Sequence, residues 1–311
     1  MEFDPENPLT NPIDDHVVTL HSLFYLESDH IVSDNYVKNL KTVDFHVTLR
    51  RQAVSIISQI TGRFDPFVSY LAINYLDRFL SIREMPQPKT WVVRLLGTAC
   101  VSLAAKMMKT EFNISNLQCG EGLIFDTQTI ERMEQIILGV LQWRVRPITP
   151  LAFLEFFIDQ FKLEDPPLRQ ALKARATEII FIAQNDIELL EYKPSIVAAS
   201  AVLSASHELF PIQFPSFRIS VSSCSLVNKE DISNCSNAIN EILEHRYESV
   251  FTAGGGCNPS SDTLDNVLDQ NWSSCSTTTC TTIAGAITSS EHSSFAEPEG
   301  NNKPGRIRSR G

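Results

Sequence analysis

The chain has 311 residues, 43% of them hydrophobic and 20% charged, with a formal net charge of −11. That length accommodates two domains of about 100 residues plus extensions, and the acidic balance argues against the Lys/Arg-dominated surface that non-specific nucleic-acid binding requires. Seven cysteines stand at irregular spacing with neither a zinc nor a disulfide pattern, the terminus MEFDPENPLTNPIDD has no signal-peptide core, and the most apolar stretch, Leu95 to Ala105, is about half of the ~20 residues a bilayer span needs.

A reducing, intracellular setting without a membrane follows, in which the Asn-x-Ser sequons at Asn113, Asn234 and Asn271 carry no meaning. Residues 1–15, rich in Pro, Asn and Asp, read as disordered, and residues 16–44 as a helical extension in which His30 is a bystander.

From there the periodicity is helical and strand alternation is not evident. Leu49, Ala53, Ile56, Ile57 and Ile60 share one helix face. Asp65-Pro66 reads as an N-cap with proline in the first turn, followed by Phe67, Leu71, Asn74, Tyr75 and Arg78 at helical spacing. WVVRLLGTACVSLAAK (91–106) is apolar nearly all round, the mark of a central helix, and its Gly97, Ala99, Ala104 and Ala105 allow neighbours to come close. Asp126 opens a helix with the stripe Ile130, Met133, Ile137, Val140 and Leu141, and Trp143 ends the unit.

The plan then repeats. Thr149-Pro150 caps LAFLEFFIDQF, and Asp165-Pro166 starts a helix with Leu168, Leu172, Ile179 and Ile180 inward. Pro194 starts the small, apolar SIVAASAVLSAS, and Lys229 to Tyr247 forms a last amphipathic helix. The fold class is all-α: two tandem five-helix units, 45–145 and 149–248, with a Ser/Thr-rich tail over 252–311 that buries too little to order itself.

LAINYLDRFLS (71–81), WVVRLLGTACVSLAAK (91–106) and TIERMEQIILGVLQWRVRPITPLAF (129–153), in this order and at these separations, resemble the cyclin box. The resemblance covers about residues 20–248 and is closest in kind to plant D-type cyclins, the sixth subgroup among them. It implies a non-catalytic subunit without cofactor or metal that binds and activates a cyclin-dependent kinase. It further implies control of the G1/S decision or of a specialised division, a retinoblastoma-related protein as substrate, a kinase inhibitor protein as a further partner, and a place in the nucleus or cytoplasm.

Five near-invariant box positions fall, by these motifs, on Arg50, Asp77, Leu95, Lys106 and Glu134. Arg50 and Asp77 read as a structural ion pair, with an exposed, weak pair as the alternative, and Leu95 as core. Lys106 and Glu134 are the implied kinase contacts, holding the kinase C-helix inward; a plain surface pair at a helix end is the alternative.

Three departures stand out. Met108 and Lys109 occupy positions that are acidic in most cyclins, which implies weaker kinase affinity. The substrate-docking groove of many cyclins corresponds to Leu49, Gln52 and Ile56, with Ile56 where a Trp would line the wall, so the groove is degraded. The D-type retinoblastoma-docking pattern is missing from residues 1–40 and occurs only as Leu117-Gln118-Cys119-Gly120-Glu121, inside the box, where coincidence is the better reading.

The tail contains no Ser-Pro or Thr-Pro, and Arg306, Arg308 and Arg310 make a short basic end. A DNA-binding factor of similar architecture is disfavoured by the acidic balance. An enzyme is disfavoured because no nucleophile–base pair, metal cluster or phosphate loop is evident. A cyclin relative that binds a kinase without activating it stays open because of Met108 and Lys109.

Overall fold

The computed structural model describes residues 4–6, 8, 20–85, 88–110 and 125–253. The Leu117–Glu121 pattern and the tail beyond Ala253 lie outside these. Within them the chain is helical: α1 (Leu20–Leu26), a 3-10 turn (Glu27–His30), α2 (Asp34–Thr42), α3 (Asp44–Thr61), α4 (Pro66–Ile82), α5 (Thr90–Met107) and α6 (Thr127–Val140) precede the second unit. That unit opens on a 3-10 turn (Pro150–Phe153), followed by α7 (Leu154–Asp159), α8 (Pro166–Ala183), α9 (Pro194–Leu209), α10 (Phe214–Ser222) and α11 (Lys229–Ala253).

Local chemistry sets the helix starts. Asp65 caps α4 by accepting the Phe67 N–H at 2.8 Å, with Pro66 in the first turn. Asp126 caps α6 through the Thr129 N–H at 2.9 Å. Thr149 does not behave as expected: its side chain caps nothing, and its buried hydroxyl has no partner among the described residues.

In the first unit α3, α4 and α6 surround α5, whose residues Leu95 to Ala105 are all buried. By length and composition α5 could cross a membrane, but here it is the core helix of a helical body. Each large apolar side chain buried around it contributes about 1.5–3 kcal/mol. Gly97 leaves room for α3 against α5, for an alanine methyl there would lie 3.2 Å from Ile56 Cγ2.

The second unit repeats the plan with α9 at its centre, packed by α8 and α11. Small side chains let α9 and α11 come together, and Ser200 Oγ donates to the Ile232 carbonyl at 3.2 Å. Helix α10 was not foreseen from sequence; its Phe217 stacks on Phe161 with ring centroids 4.1 Å apart. Leu168 is 43% exposed, because the first turn of α8 projects beyond the core that takes Leu172, Ala176, Ile179 and Ile180.

The amino-terminal extension touches both units. Phe24 packs edge-on against Phe153, with centroids 4.8 Å apart. The buried Glu27 carboxylate accepts the Ser195 N–H and Oγ–H at 2.9 Å each, capping α9 from 168 residues away. Glu6 pairs with Lys173 at 2.8 Å, a contact that the composition of residues 1–15 does not announce.

Candidate partner-binding site

Lys106 lies in the last turn of α5, and Glu134 in the middle of α6. The Lys106 ammonium donates to both Glu134 oxygens, at 2.8 and 2.6 Å. The pair is asymmetric: the Lys106 side chain is 45% exposed and that of Glu134 only 8%. Glu134 therefore anchors the ammonium in the body, while Lys106 presents donors at the surface. Ile136 on α6 and Trp143 just beyond it are exposed apolar neighbours in sequence of Glu134.

The ends of α5 and α6 are built alike. After Met108, Lys109 adopts φ 48°, its N–H bonds the Lys106 carbonyl at 3.2 Å, and the Thr110 N–H bonds the Ala105 carbonyl at 2.9 Å. That is a Schellman termination with lysine where glycine is favoured. After Leu141, Gln142 and Trp143 take φ 52° and 60°, and the Trp143 N–H bonds the Leu138 carbonyl at 2.9 Å. Met108 is half-buried and Lys109 is exposed, so of the two departures it is Lys109 that offers its charge to a partner.

Arg50 on α3 and Asp77 on α4 form a bidentate pair, Nε to Oδ1 at 2.8 Å and Nη2 to Oδ2 at 3.0 Å, with each side chain 4% exposed. Tyr36 of α2 donates its hydroxyl to Asp77 Oδ1 at 2.9 Å. Arg50 also donates to carbonyls of the second unit, Nη1 to Asn185 at 2.7 Å and Nη2 to Gln184 at 3.4 Å. Burial works against the Arg50 charge, but Asp77 more than offsets it and the pKa is raised; burial and the Asp77 carboxylate together push the Tyr36 hydroxyl up. Leu95 is buried at 5% exposure.

The three groove positions do not form one surface. Leu49 is 5% exposed and faces a cavity of about 270 Å³ that it lines with Tyr36 and Asn39 of α2. Only Gln52, exposed, and Ile56, half-buried against α5, remain on the outside. The helix that removes Leu49 from a groove belongs to the amino-terminal extension. Tyr36, Asn185, Glu27 and Ser195 were missed as partners because nothing local marks a bond across 41, 135 or 168 residues.

These features define a helical body of two like units, joined inside by Arg50 and by the packing of Phe67 and Tyr70 on Phe181, and presenting a lysine–glutamate pair at its surface. Two family models match this chain: "Cyclin, N-terminal domain" over residues 19–146 and "Cyclin, C-terminal domain" over residues 148–253. The chain is 43% identical over 298 residues to "Putative cyclin-D6-1" of Arabidopsis thaliana, covering 92% of this chain and 96% of that protein. It is 34% identical to "Cyclin-D6-1" of Oryza sativa subsp. japonica, over 93% of this chain and 88% of that protein. A viral cyclin structure from herpesvirus saimiri matches with TM-score 0.51 and 18% identity, covering 64% of this chain and 88% of that structure, which bears on the fold alone. The chain belongs to the cyclin family, and its relatives include plant D-type cyclins.

Proposed function

We propose that this chain binds and activates a cyclin-dependent protein kinase through the surface at which Lys106 and Glu134 meet. Family membership supports a kinase-regulatory role, and the observation that carries the location is the anchored, half-exposed Lys106 at the junction of α5 and α6. A protein kinase is active only when its β3 lysine pairs with its C-helix glutamate and its activation loop is cleared. A preformed surface that binds that arrangement better than the inactive one shifts the kinase toward it, by as much as the difference in affinity. The cyclin contributes rigidity and needs no catalytic group.

By the same reading the chain acts in the nucleus at the G1/S transition or in a specialised division, and promotes phosphorylation of a retinoblastoma-related protein. A kinase inhibitor protein is its further partner. Its substrate choice does not run through a Leu49–Gln52–Ile56 groove, given the burial of Leu49. The exposed Lys109 favours a second reading, a cyclin that holds its kinase without full activation. Titration of a monomeric cell-cycle kinase with the chain tests the proposal: Lys106→Ala weakens binding at least tenfold if Lys106 makes about one charge-assisted hydrogen bond to the kinase. An unchanged dissociation constant would place the interface elsewhere.

A further inference from the structure

Where the two units meet, α4 faces the end of α8 and the start of α9 across a cavity of about 100 Å³, partly open to solvent. The first unit supplies Asn74 from α4, and the second supplies Gln184, just past the end of α8. The amino-terminal extension closes a further side with His30 and the two residues after it.

Three polar atoms in these walls stand out. Asn74 Oδ1, Gln184 Oε1 and His30 Nδ1 are each buried without a hydrogen-bond partner among the described residues, and all three residues line this one cavity. Buried polar atoms of native proteins are nearly always paired. Three orphans from three separate segments around one space therefore call for a filling that supplies their partners.

The rest of the wall narrows what that filling is. Ile73, Ile148, Ile180, Leu189 and Val197 make much of it apolar. A water needs two to four polar partners and only about 10–15 Å³, so waters on the three orphan atoms would leave much of the cavity facing hydrocarbon. An apolar cavity of about 150 Å³ takes up benzene, which sets the scale here at a single five-membered ring. Asp77 and Asp186 both line the cavity and both act on one guanidinium, that of Arg50, which disfavours an anion. At the His30 end, burial first and then Arg78 lower the imidazole pKa to about 4, so the ring stays neutral and a second cation beside it is disfavoured. The amide oxygens accept, either amide turned over donates instead, and a neutral imidazole offers one or the other at Nδ1.

We propose that this cavity binds a small uncharged nitrogen heterocycle, free or as the end group of a larger molecule, with its ring N–H and bare N bonded among Asn74, Gln184 and His30 and its faces against the aliphatic wall. The three polar groups come from the first unit, the second unit and the extension, so such a ligand stabilises the junction itself. The inference does not depend on kinase binding.

The test uses pyrazole, which is uncharged at neutral pH and carries one N–H and one bare N, beside furan, a ring of the same size without an N–H donor. Each is titrated into the full chain while the side-chain amide signals of Asn74 and Gln184 are followed by NMR. Pyrazole shifts both signals saturably and raises the unfolding temperature. Furan binds at least about tenfold more weakly, the loss of about one hydrogen bond. Asn74→Leu and Gln184→Met keep the side-chain size, and each weakens pyrazole binding about tenfold. Arg50 reaches residue 184 at its main-chain carbonyl, which Gln184→Met retains, so this variant carries the test if Asn74→Leu fails to fold. No saturable shift with pyrazole, equal affinity for the two probes, or pyrazole affinity unchanged in Gln184→Met overturns the assignment.

Discussion

The guanidinium of Arg50 donates to the main-chain carbonyl of Asn185 at 2.7 Å while it holds Asp77 in a bidentate pair. One side chain therefore closes α3 onto α4 and fastens both to the end of α8 in the second unit, where a cation suits the helix dipole. Arg50→Ala strands a buried carboxylate and costs about 3–5 kcal/mol. Equilibrium urea unfolding measures it. Asp77→Asn/Arg50→Met recovers part of the loss, because no charge is left without its partner; a loss below about 1 kcal/mol for Arg50→Ala would mean that the pair behaves as an exposed one.

Glu27 gives a pH signature. Burial raises its pKa above 4.5, with the Ser195 hydrogen bonds and Lys193 opposing. The native state then holds this proton more tightly than the unfolded chain does. Its contribution is greatest below the unfolded value and falls as pH rises through the folded one. Glu27→Gln keeps an oxygen for Ser195 and removes the charge, so the stability difference, variant minus parent, grows as pH rises from about 4.5 toward neutrality. A difference independent of pH would contradict the burial effect. Glu27→Ala leaves the Ser195 N–H unsatisfied, a cost of about 1–3 kcal/mol that is largest at low pH and shrinks as pH rises.

His30 works in the opposite direction. Its pKa is lowered from 6.5 to about 4, burial being the first cause and Arg78 the second. The unfolded chain takes up this proton first, so stability from this group is full above pH 6.5 and is lost as pH falls toward 4. Up to about 3 kcal/mol is at stake. Unfolding at pH 7 and pH 4.5 for the parent and for His30→Gln checks it: the parent loses more on acidification, and equal losses would remove His30 as the cause.

The turn after α5 separates local strain from partner binding. Lys109 sits at φ 48°, a conformation that costs a residue with a Cβ about 1–2 kcal/mol. Lys109→Gly relieves it against a smaller loss from the freer unfolded chain, a net gain of about 0.5–1 kcal/mol visible in thermal unfolding. Met108→Glu/Lys109→Glu instead restores the acids usual at these positions and tightens kinase binding; an unchanged dissociation constant would show that Lys109 does not face the kinase.

Much of this was legible in the sequence because it is local. The Asp65-Pro66 and Asp126 caps, the all-round apolar α5 and the stripe of α6 follow from neighbours within a few residues. Lys106 and Glu134 were found through motif resemblance, and their contact follows from α5 lying against α6. What was not legible is what the extension does: Tyr36 completes the Arg50–Asp77 pair, α2 helps enclose Leu49, and Glu27 caps α9. These bonds depend on where the first 44 residues dock, which periodicity does not encode. Helix α10 escaped because FPSFRISVS buries only Phe217 and Val221, too short a stripe to register as a period.

The measurement that bears most directly on the central claim is kinase activation. The chain is mixed with a monomeric cell-cycle kinase and phosphorylation of a retinoblastoma-type substrate is followed, beside Lys106→Ala/Glu134→Ala shown to be folded. The proposed function predicts activity with the parent chain and its loss with the variant. Stable binding without activity, or activation that survives in the folded variant, would contradict it.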